Sequence, residues 1–400
     1  MGLIKMKHVY IIGSKGIPAR YGGYETFVEK LTAGQKSSNI RYHVASRRDN
    51  TKLSQTNNVF EYNGAEIFSV DVPNIGPAQA IAYDIKALKW AIQNAKKISA
   101  EAPIFYVLAA RMGPFIGKYA KQIRALGGTY LINPDGHEWK RAKWPLLVRK
   151  YWKISEKGMI KHADLVVCDN PAIERYIQKE YQKYSPKTTY LAYGTDVKPS
   201  KLNYKDKVAR EWYDVNAIHE NEYFLVVGRF VPENNYETMI REFMSSDTTK
   251  DFVLITNVEQ NKFYNILLKK THFDTDPRIK FVGTVYNQEL LKYIRENAFA
   301  YFHGHEVGGT NPSLLEALAT TKLNLLIDVD FNREVAGNTA LYWSKQNGAL
   351  KSKINEAAML TNSTSEKYSV LAKKRVGNLF SWEIINQKYE SLLLGERFDK

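Results

Sequence analysis

Short apolar runs alternate with amphipathic stretches along the whole chain. Each run is rich in Val, Ile, Tyr and Phe, and most are followed by helical periodicity. In the first half the runs are HVYIIG, YHVAS, AEIFSV, PIFYVLA, TYLINP, DLVVCDN and TTYLAYG, and in the second half YFLVVGRF, DFVLITN, IKFVGTV, AFAYFHG and LNLLIDV. This alternation predicts parallel sheets built from right-handed crossover units. Because the pattern runs twice, we predict an α/β chain with two doubly wound, Rossmann-like domains.

The periodicity lapses between Ala192 and Lys207, where polar residues gather. We therefore predict a first domain over 1–195 and a second over 196–379. The final stretch, SWEIINQKYESLLLGERF, predicts an amphipathic helix within 380–397 that packs back on the first domain. In open parallel sheets the ligand lies at the carboxyl ends of the strands. If the two domains face each other across a cleft, informative residues should follow strands directly.

Composition narrows the setting of the protein. The 400 residues carry a formal net charge of +15, which favours polyanionic partners such as nucleic acid, anionic lipid or phosphorylated ligands. No apolar run is long enough to predict a membrane-spanning helix, and the start of the chain leads directly into the first strand, which argues against a secretory signal. The single cysteine, Cys168, ends an apolar run and predicts a structural thiol in a reducing compartment.

A glycine-rich loop, GSKGIPARYGG, joins the first strand to the helical stretch YETFVEKL. It contains neither G-x-G-x-x-G nor a Walker lysine pattern, which disfavours a hydride-transfer enzyme and an ATPase. Gly22 and Gly23 come just before the helix, where free backbone amides attract phosphate. An ordinary strand-to-helix loop is the alternative interpretation.

Two stretches of the second half offer polar groups at strand ends. Arg229 follows the run YFLVVG, where a guanidinium could hold a diphosphate bidentately, although a surface salt bridge is the alternative. After the run AFAYFHG, Asn311 is a natural N-cap and Pro312 suits the first helical position. Glu316 falls within the apolar run SLLEALA, so its carboxylate needs a partner. A ribose hydroxyl, a backbone amide or a lysine would satisfy it.

The loop NPDGHEWKRAKW follows the run TYLI. Asp135 and Glu138 could orient or deprotonate an acceptor hydroxyl, and His137 between them could serve equally. An Asx turn is the alternative for Asp135. Lys140 and Arg141 could hold the diphosphate of an acceptor.

Positive charge concentrates between Trp139 and Lys161. This stretch holds eight Lys or Arg residues against one acid, Glu156, and they are interleaved with Trp, Leu, Val, Ile and Met. It predicts a basic, tryptophan-rich amphipathic helix, which suits an anionic membrane surface. A packed helix with a solvated basic face is the alternative. No nucleic-acid-binding motif accompanies the patch, so we expect no nucleic acid partner.

Metal sites find little support in the sequence. No D-x-D follows a strand, and the acidic pair of FDTDPR falls in a polar loop. His303 and His305 form the one close histidine pair, and they flank the glycine-containing loop before Asn311, where they could position a sugar. We predict that no metal ion is needed, and that arginine and helix amides stabilise a leaving diphosphate instead.

Together the glycine loop, the VVGR segment and the NPSLLEAL segment resemble the GT-B glycosyltransferases of the large retaining family four. The resemblance implies that Arg229 meets the donor diphosphate and that an E-x7-E pair binds the donor sugar and its ribose. Glu316 matches the second glutamate of that pair. Gly308 stands at the place of the first, and the nearest upstream acid is Glu306. Asn234 stands where the family has a lysine.

The stretches YIIGSKGIPARYGGYETFVEKL, NPDGHEWKRAKW, RFVPENNYETMIREF and HEVGGTNPSLLEAL resemble a narrower group over essentially the whole chain. That group comprises bacterial rhamnosyltransferases of capsule and cell-wall polysaccharide assembly. The resemblance implies retaining transfer of rhamnose from dTDP-L-rhamnose, through a β-1,4 link, to the first sugar (GlcNAc or glucose) on undecaprenyl diphosphate. It also leads us to expect a cytoplasmic enzyme, peripheral on the inner face of the plasma membrane.

On this resemblance the predicted site residues fall into three sets. The catalytic set is Asp135 and Glu306. The donor-binding set is Gly22, Gly23, Arg229, Asn234, Thr310, Asn311 and Glu316. The acceptor-binding set is Tyr21, Glu138, Lys140 and Arg141. Two alternatives remain open: a related transferase with a UDP-hexose donor and a lipid-linked acceptor, and a non-catalytic, membrane-associated scaffold.

Overall fold

The computed structural model of the protein describes residues 6–20, 22–141, 144–258 and 260–396. It divides into two compact units, each built on its own parallel sheet. The first unit takes the chain up to Lys140, then Trp144–Gly194 and the C-terminal segment from Trp382; the second takes Arg141 and Thr195–Ser381.

The first unit alternates strands and helices. Its elements are β1 (Lys7–Ile12), α1 (Gly23–Ala33), β2 (Ile40–Arg47), α2 (Lys52–Thr56), β3 (Val59–Tyr62), β4 (Ala65–Val70), α3 (Gln79–Lys97), β5 (Ile104–Leu108), α4 (Gly113–Ala125), β6 (Thr129–Asn133), α5 (Leu146–His162), β7 (Leu165–Cys168), α6 (Pro171–Glu180) and β8 (Thr188–Tyr190). The strand order is β3-β4-β2-β1-β5-β6-β7-β8, and only the β3–β4 pair is antiparallel.

The second unit repeats the plan with six strands. Its elements are α7 (Lys207–Asn216), β9 (Tyr223–Val227), α8 (Tyr236–Met244), β10 (Asp251–Ile255), α9 (Lys262–Thr271), β11 (Ile279–Phe281), α10 (Gln288–Glu296), β12 (Ala300–His303), α11 (Pro312–Thr320), β13 (Asn324–Ile327), α12 (Asp330–Ala336), β14 (Leu341–Trp343), α13 (Ala349–Met359) and α14 (Asn362–Phe380). All its strands are parallel, in the order β11-β10-β9-β12-β13-β14.

Each sheet is covered by helices on both faces, which explains the continuous apolar character of its central strands. In β1, Val9 to Ile12 are fully buried, and in β9 the same holds for Tyr223 to Leu225. Every apolar run that predicted a strand contains one. Cys168 is buried at the end of β7, as a structural thiol should be.

The C-terminal helix α15 (Trp382–Leu394) belongs to the first unit, where it packs on α1, β1 and β2. Its Asn386 side chain donates a hydrogen bond to the carbonyl of Lys30, and the Tyr389 and Tyr106 hydroxyls lie 3.2 Å apart. The aromatic ring of Tyr389 also packs against Phe27 of α1. Buried aromatic contacts therefore hold this last segment on the sheet of the first unit.

The basic helix predicted over Trp139–Lys161 is wrong at its start. A short 3-10 turn covers Glu138–Lys140, and α5 begins only at Leu146. Pro145 is the reason, because it disfavours helical backbone at the residue before it. The tryptophans at 139 and 144 therefore precede the helix and do not belong to its apolar face.

Candidate functional site

In the second unit, Arg229 lies just past the carboxyl end of β9. Its side chain is exposed, and among the described residues no hydrogen bond or ion pair engages the guanidinium. The backbone beneath it is fixed, because the Asn234 side chain donates a 2.7 Å hydrogen bond to the Arg229 carbonyl. Arg229 therefore presents a free positive charge from a rigid support.

Asn234 itself is buried, so it serves this loop from within. Its amide supplies a structural hydrogen bond at the position where the resembling family carries a lysine. The structure thus gives Asn234 a positioning role toward Arg229, and no second positive charge arises at this place in the sequence.

The N-terminus of α11 lies after the neighbouring strand β12. Asn311 caps the helix by accepting a 2.9 Å hydrogen bond from the Ser313 amide, as the sequence predicted. Ser313 in turn donates to the Val227 carbonyl at 3.0 Å, which ties the first helical turn to the end of β9. Thr310 is buried, and Gly308, with φ of +146°, has no atom within 4 Å of the position that a Cβ would take. A helix N-terminus attracts anions through its free amides and its dipole.

Glu316 finds a partner that the sequence did not predict. Its Oε2 lies 2.6 Å from Nη2 of Arg295, whose side chain is 4% exposed. The Glu316 side chain itself is 38% exposed. One carboxylate oxygen thus neutralises a buried arginine from α10, and the exposed part of the group remains accessible.

Glu306 pairs with Lys345 in a close, partly exposed ion pair. The Glu306 amide also donates a 3.3 Å hydrogen bond to the Glu233 carbonyl, which fixes the loop after β12 to the loop after β9. Glu306 is therefore held in place on both its backbone and its side chain.

The histidine pair stacks, with the ring centroids of His303 and His305 4.5 Å apart. Burial lowers the pKa of His303 well below its usual value. Burial also lowers the pKa of His305 to about 3, and the charges of Arg229 and Arg141 act in the same direction. Both rings are therefore neutral at physiological pH. Neither nitrogen of His303 has a hydrogen-bond partner among the described residues.

In the first unit, several glycines of the opening loop are required by the conformation of the backbone. Gly13 and Gly16 have φ of +104° and +110°, and a Cβ on Gly13 would lie 2.1 Å from the Leu108 carbonyl oxygen. Gly22 caps α1 at φ +133°, with the Glu25 carboxylate directly beside it. A side chain on Gly22 would collide with the Glu25 carboxylate, so a glycine is required there. Gly23 is exposed and has no neighbour where its Cβ would be.

Asp135 follows β6 with a φ of +62°. Its amide donates to Asn133 Oδ1, and its own Oδ1 accepts from the Gly136 amide at 2.8 Å. The Asx turn at this strand end is formed by Asn133, whose side chain accepts from the amide two residues later, whereas the Asp135 carboxylate accepts from the next amide. Burial raises the pKa of Tyr24 and opposes the charged form of Arg111, and the Asp135 charge adds a smaller effect that raises the pKa of both.

The other residues predicted on the acceptor side differ in hydrogen bonding, pKa and exposure. Glu138 accepts a 2.8 Å hydrogen bond from the Trp144 indole. Burial lowers the pKa of His137 to about 4, so it is a weak base at neutral pH. Lys140 is exposed, with its ammonium 5.3 Å from the Trp139 ring. Arg141 groups with the second unit, and Tyr21 lies outside the described residues, so both acceptor assignments stay predictions.

Sequence reasoning missed Arg111. It follows β5 and its Nη1 donates to the Gly13 carbonyl at 2.9 Å and to Asp84 Oδ2 at 3.0 Å. The rule that singled out Arg229, an arginine just after an apolar strand, would have found it in PIFYVLAAR. Its partner Asp84 comes from α3 and has no comparable local signal.

The described residues contain neither a metal-ligand cluster nor a helix able to span a membrane. No three His, Cys, Asp or Glu side chains converge as metal ligands would in the part of the chain that the structure covers. Over the same residues, no helix combines the length and apolarity that a membrane span requires.

Residues 6–196 match the family model described as a domain of unknown function, DUF1972. The chain matches no curated protein sequence. The match covers the first unit up to the boundary with the second, and its description carries no activity.

Solved structures are similar over nearly the whole chain. Sucrose-phosphate synthase from Thermosynechococcus elongatus is 18% identical with a TM-score of 0.76, covering 96% of this chain and 98% of its own. HepE from Anabaena in complex with UDP is 14% identical with a TM-score of 0.71, covering 98% and 100%. A trehalose-6-phosphate protein of E. coli, bound with UDP-2-fluoro glucose, is 9% identical with a TM-score of 0.71, covering 97% and 99%.

These likenesses establish the fold. The chain has the GT-B fold, with two parallel-sheet, Rossmann-like domains, which confirms the fold class predicted from the sequence. Identities of 18% and below leave activity and substrate to be argued from the residues themselves.

Proposed function

We propose that the protein is a glycosyltransferase that takes a sugar from a nucleoside diphosphate donor bound by the second unit. In its specific form, the proposal is retaining transfer of L-rhamnose from dTDP-L-rhamnose. The acceptor is the 4-hydroxyl of the first sugar, GlcNAc or glucose, linked to undecaprenyl diphosphate. The donor and acceptor identities rest on the motif resemblance.

The observation that carries the proposal is the free guanidinium of Arg229 beside the N-terminus of α11. Ser313, in the first turn of α11, bonds to the last residue of β9, so the helix start and the Arg229 loop are neighbours. A charged fork and a helix N-terminus are the groups that bind a diphosphate and stabilise it as it leaves. The solved structures with bound UDP and UDP-2-fluoro glucose support a nucleotide ligand for this fold.

The remaining donor contacts follow from the same loops. The exposed part of the Glu316 carboxylate would accept the 3′-hydroxyl of the deoxyribose. Glu306, or the open backbone at Gly308, would hold the sugar, with the neutral His305 as a further hydrogen-bonding neighbour. Because thymidine has no 2′-hydroxyl, Glu316 alone does not distinguish dTDP from UDP. A UDP-hexose donor is therefore the second candidate, and HepE in complex with UDP-glucose gives it a structural precedent.

On the acceptor side, Asp135 is the residue best placed to orient a hydroxyl. The Asx turn of Asn133 fixes the Asp135 backbone at a strand end, and the Asp135 carboxylate accepts a hydrogen bond from the Gly136 amide. General-base assistance requires such a carboxylate within hydrogen-bond distance of the hydroxyl. A front-face route, in which the leaving phosphate helps remove the proton, is what the resemblance implies. This route requires no side-chain nucleophile.

A membrane-bound acceptor calls for a membrane-facing surface, and α5 supplies the chemistry. Leu146, Leu147 and Ile154 are 73%, 79% and 62% exposed, amid the lysines and arginines of the same helix. Exposed apolar side chains ringed by positive charge suit the anionic inner face of a plasma membrane. Leu146→Ser with Leu147→Ser should weaken cosedimentation with phosphatidylglycerol vesicles, and unchanged cosedimentation would remove α5 from the proposal.

The test is a donor panel with product mass spectrometry. The purified chain is incubated with a synthetic lipid-diphosphate GlcNAc or glucose acceptor, with dTDP-rhamnose, UDP-glucose or UDP-GlcNAc, and with EDTA. A deoxyhexose mass added only from dTDP-rhamnose would support the donor, the acceptor class and metal independence together. A hexose or N-acetylhexosamine added from a UDP-sugar would replace the rhamnose assignment. Absence of both product and nucleotide binding would favour the non-catalytic scaffold.

A further inference from the structure

A second arginine follows a strand in this protein, and the motif resemblance gives it no role. Arg111 lies in the first unit between β5 and α4, and its side chain is 20% exposed. Its backbone carbonyl accepts a 2.7 Å hydrogen bond from the Tyr151 hydroxyl of α5. Arg111 is therefore fixed at the main chain as well as at its guanidinium.

The guanidinium is held from one side only. Both of its hydrogen bonds, to the Gly13 carbonyl and to Asp84, leave from Nη1. Among the described residues, Nε and Nη2 make no hydrogen bond. Asp84 is fully buried, so the ion pair lies on the inner side of the guanidinium and its other N–H groups remain for a ligand. A fixed planar fork with free N–H groups matches the oxygens of a phosphate.

The immediate surroundings contain polar atoms that the protein leaves unsatisfied. The Ser14 hydroxyl, Asp84 Oδ1 and the Tyr24 hydroxyl are all buried, and none has a hydrogen-bond partner in the described part of the chain. Ser14 follows Gly13, and Tyr24 is close enough for its charge state to affect the pKa of Arg111. Buried polar atoms without partners mark places where water or a ligand completes the structure. Three of them around one arginine favour a built polar site.

The charge of this site is secure at neutral pH. Burial works against the charged form of Arg111, but Asp84, and more weakly Tyr24 and Asp135, raise the pKa of the guanidinium. Arg111 also lies just before α4, whose positive dipole end adds to the attraction for an anion.

We propose that Arg111 is the anion-binding residue of the acceptor site, and that it takes a phosphate of a diphosphate-linked acceptor. The inference rests on the proposed function for the identity of the ligand as an acceptor, but the phosphate chemistry comes from this site alone. Asp84 acts through Arg111 as a positioning residue. The site supplements Lys140, which carries its charge on an exposed and flexible side chain.

The test measures binding of geranyl diphosphate to the full chain by calorimetry. All variants carry Arg229→Gln, which removes the proposed donor-side anion site. Arg111→Gln in this background should weaken binding at least about tenfold, because hydrogen bonds from a charged guanidinium to a phosphate are among the strong ones. The matched control is Arg124→Gln, because Arg124 also pairs with an aspartate of this unit, Asp164, at the opposite ends of the strands. It should bind as the background does.

Loss of Arg111 leaves Asp84 buried without its partner, so a second variant guards against misfolding. Arg111→Gln combined with Asp84→Asn removes both charges and should show the same loss of geranyl diphosphate binding with an intact thermal unfolding transition. Binding that survives in this double exchange, or absence of binding in the Arg229→Gln background, would overturn the proposal. Arg111-dependent binding without sugar transfer by the wild type would refute the proposed function and leave the anion site standing.

Discussion

The carboxylate of Glu316 lies 2.6 Å from the guanidinium of Arg295, which is almost completely buried. A residue proposed to hold the donor is therefore also the counter-charge of an interior arginine. Binding and stability are coupled at this position, and a substitution there affects both.

Glu316→Gln should lower the free energy of unfolding by about 1–3 kcal/mol, because Arg295 then lacks its counter-charge. It should also weaken binding of dTDP. Adding Arg295→Met removes the buried charge and should restore part of the stability without restoring dTDP binding. Urea unfolding and calorimetry on the single and double variants measure the two effects. If dTDP binding recovered together with stability, Glu316 would have only a structural role.

Asp135 and Glu138 should respond unequally to loss of charge. Asp135→Asn should reduce kcat by about 100-fold or more, as expected for a group that assists proton movement. Glu138→Gln should change kcat by only a few-fold, because the amide can still accept the Trp144 hydrogen bond and the wild-type carboxylate is already engaged. Initial rates at saturating donor, measured for the wild type and both variants, give the two changes in kcat. Equal losses in the two variants would contradict the assignment of Asp135.

The opening loop offers a matched pair of glycines. Gly13→Ala should destabilise the first unit by several kcal/mol, because a Cβ would lie 2.1 Å from a backbone oxygen at a positive φ. Gly23→Ala should change stability by less than about 1 kcal/mol, since nothing lies near its Cβ position and the residue is in α1. Thermal unfolding of the two variants measures how much stability each substitution costs. Similar costs would show that the loop is not constrained as described.

Acid should destabilise the second unit through its buried histidines. Burial lowers the pKa of His305 to about 3, so the folded state favours the neutral ring. The stability this gives is complete above about pH 6.5 and is lost as the pH falls from there toward 3, by up to about 1.4 kcal/mol per pH unit. His305→Gln should flatten the pH dependence of urea unfolding between pH 6.5 and 4. The exposed His219 serves as the control, and an equal effect of His219→Gln would contradict the explanation.

Strands and helix starts that depend on a few adjacent residues were predicted from the sequence. The strand starts followed from apolar runs, and the start of α11 followed from Asn311 and Pro312, because an N-cap depends on a few adjacent residues. The start of α5 was predicted too early, although Pro145 was visible as a boundary. The hairpin of β3 and β4 was also missed, although Asn63 and Gly64 form a turn signal between them.

The ion-pair partners of the site residues could not be predicted from neighbouring residues in the sequence. Arg295 reaches Glu316 from α10, Lys345 reaches Glu306 from beyond β14, and Asp84 reaches Arg111 from α3. Each pair depends on how distant helices and strands pack, which no spacing in the sequence encodes. The strand-end rule singled out Arg229, which the structure shows exposed just past β9, and the same rule applied to PIFYVLAAR would have singled out Arg111.

Nucleotide binding by the wild type and by Arg229→Gln tests whether the second unit holds a donor diphosphate. We predict that the wild type binds dTDP and dTDP-rhamnose in calorimetry, and that Arg229→Gln weakens both at least about tenfold because a charged hydrogen-bonding pair is lost. Arg241→Gln, which changes a partly exposed arginine in α8 of the same unit, should leave binding as in the wild type. If the wild-type chain binds no nucleotide sugar, or if Arg229→Gln binds as tightly as the wild type, Arg229 is not part of a donor site.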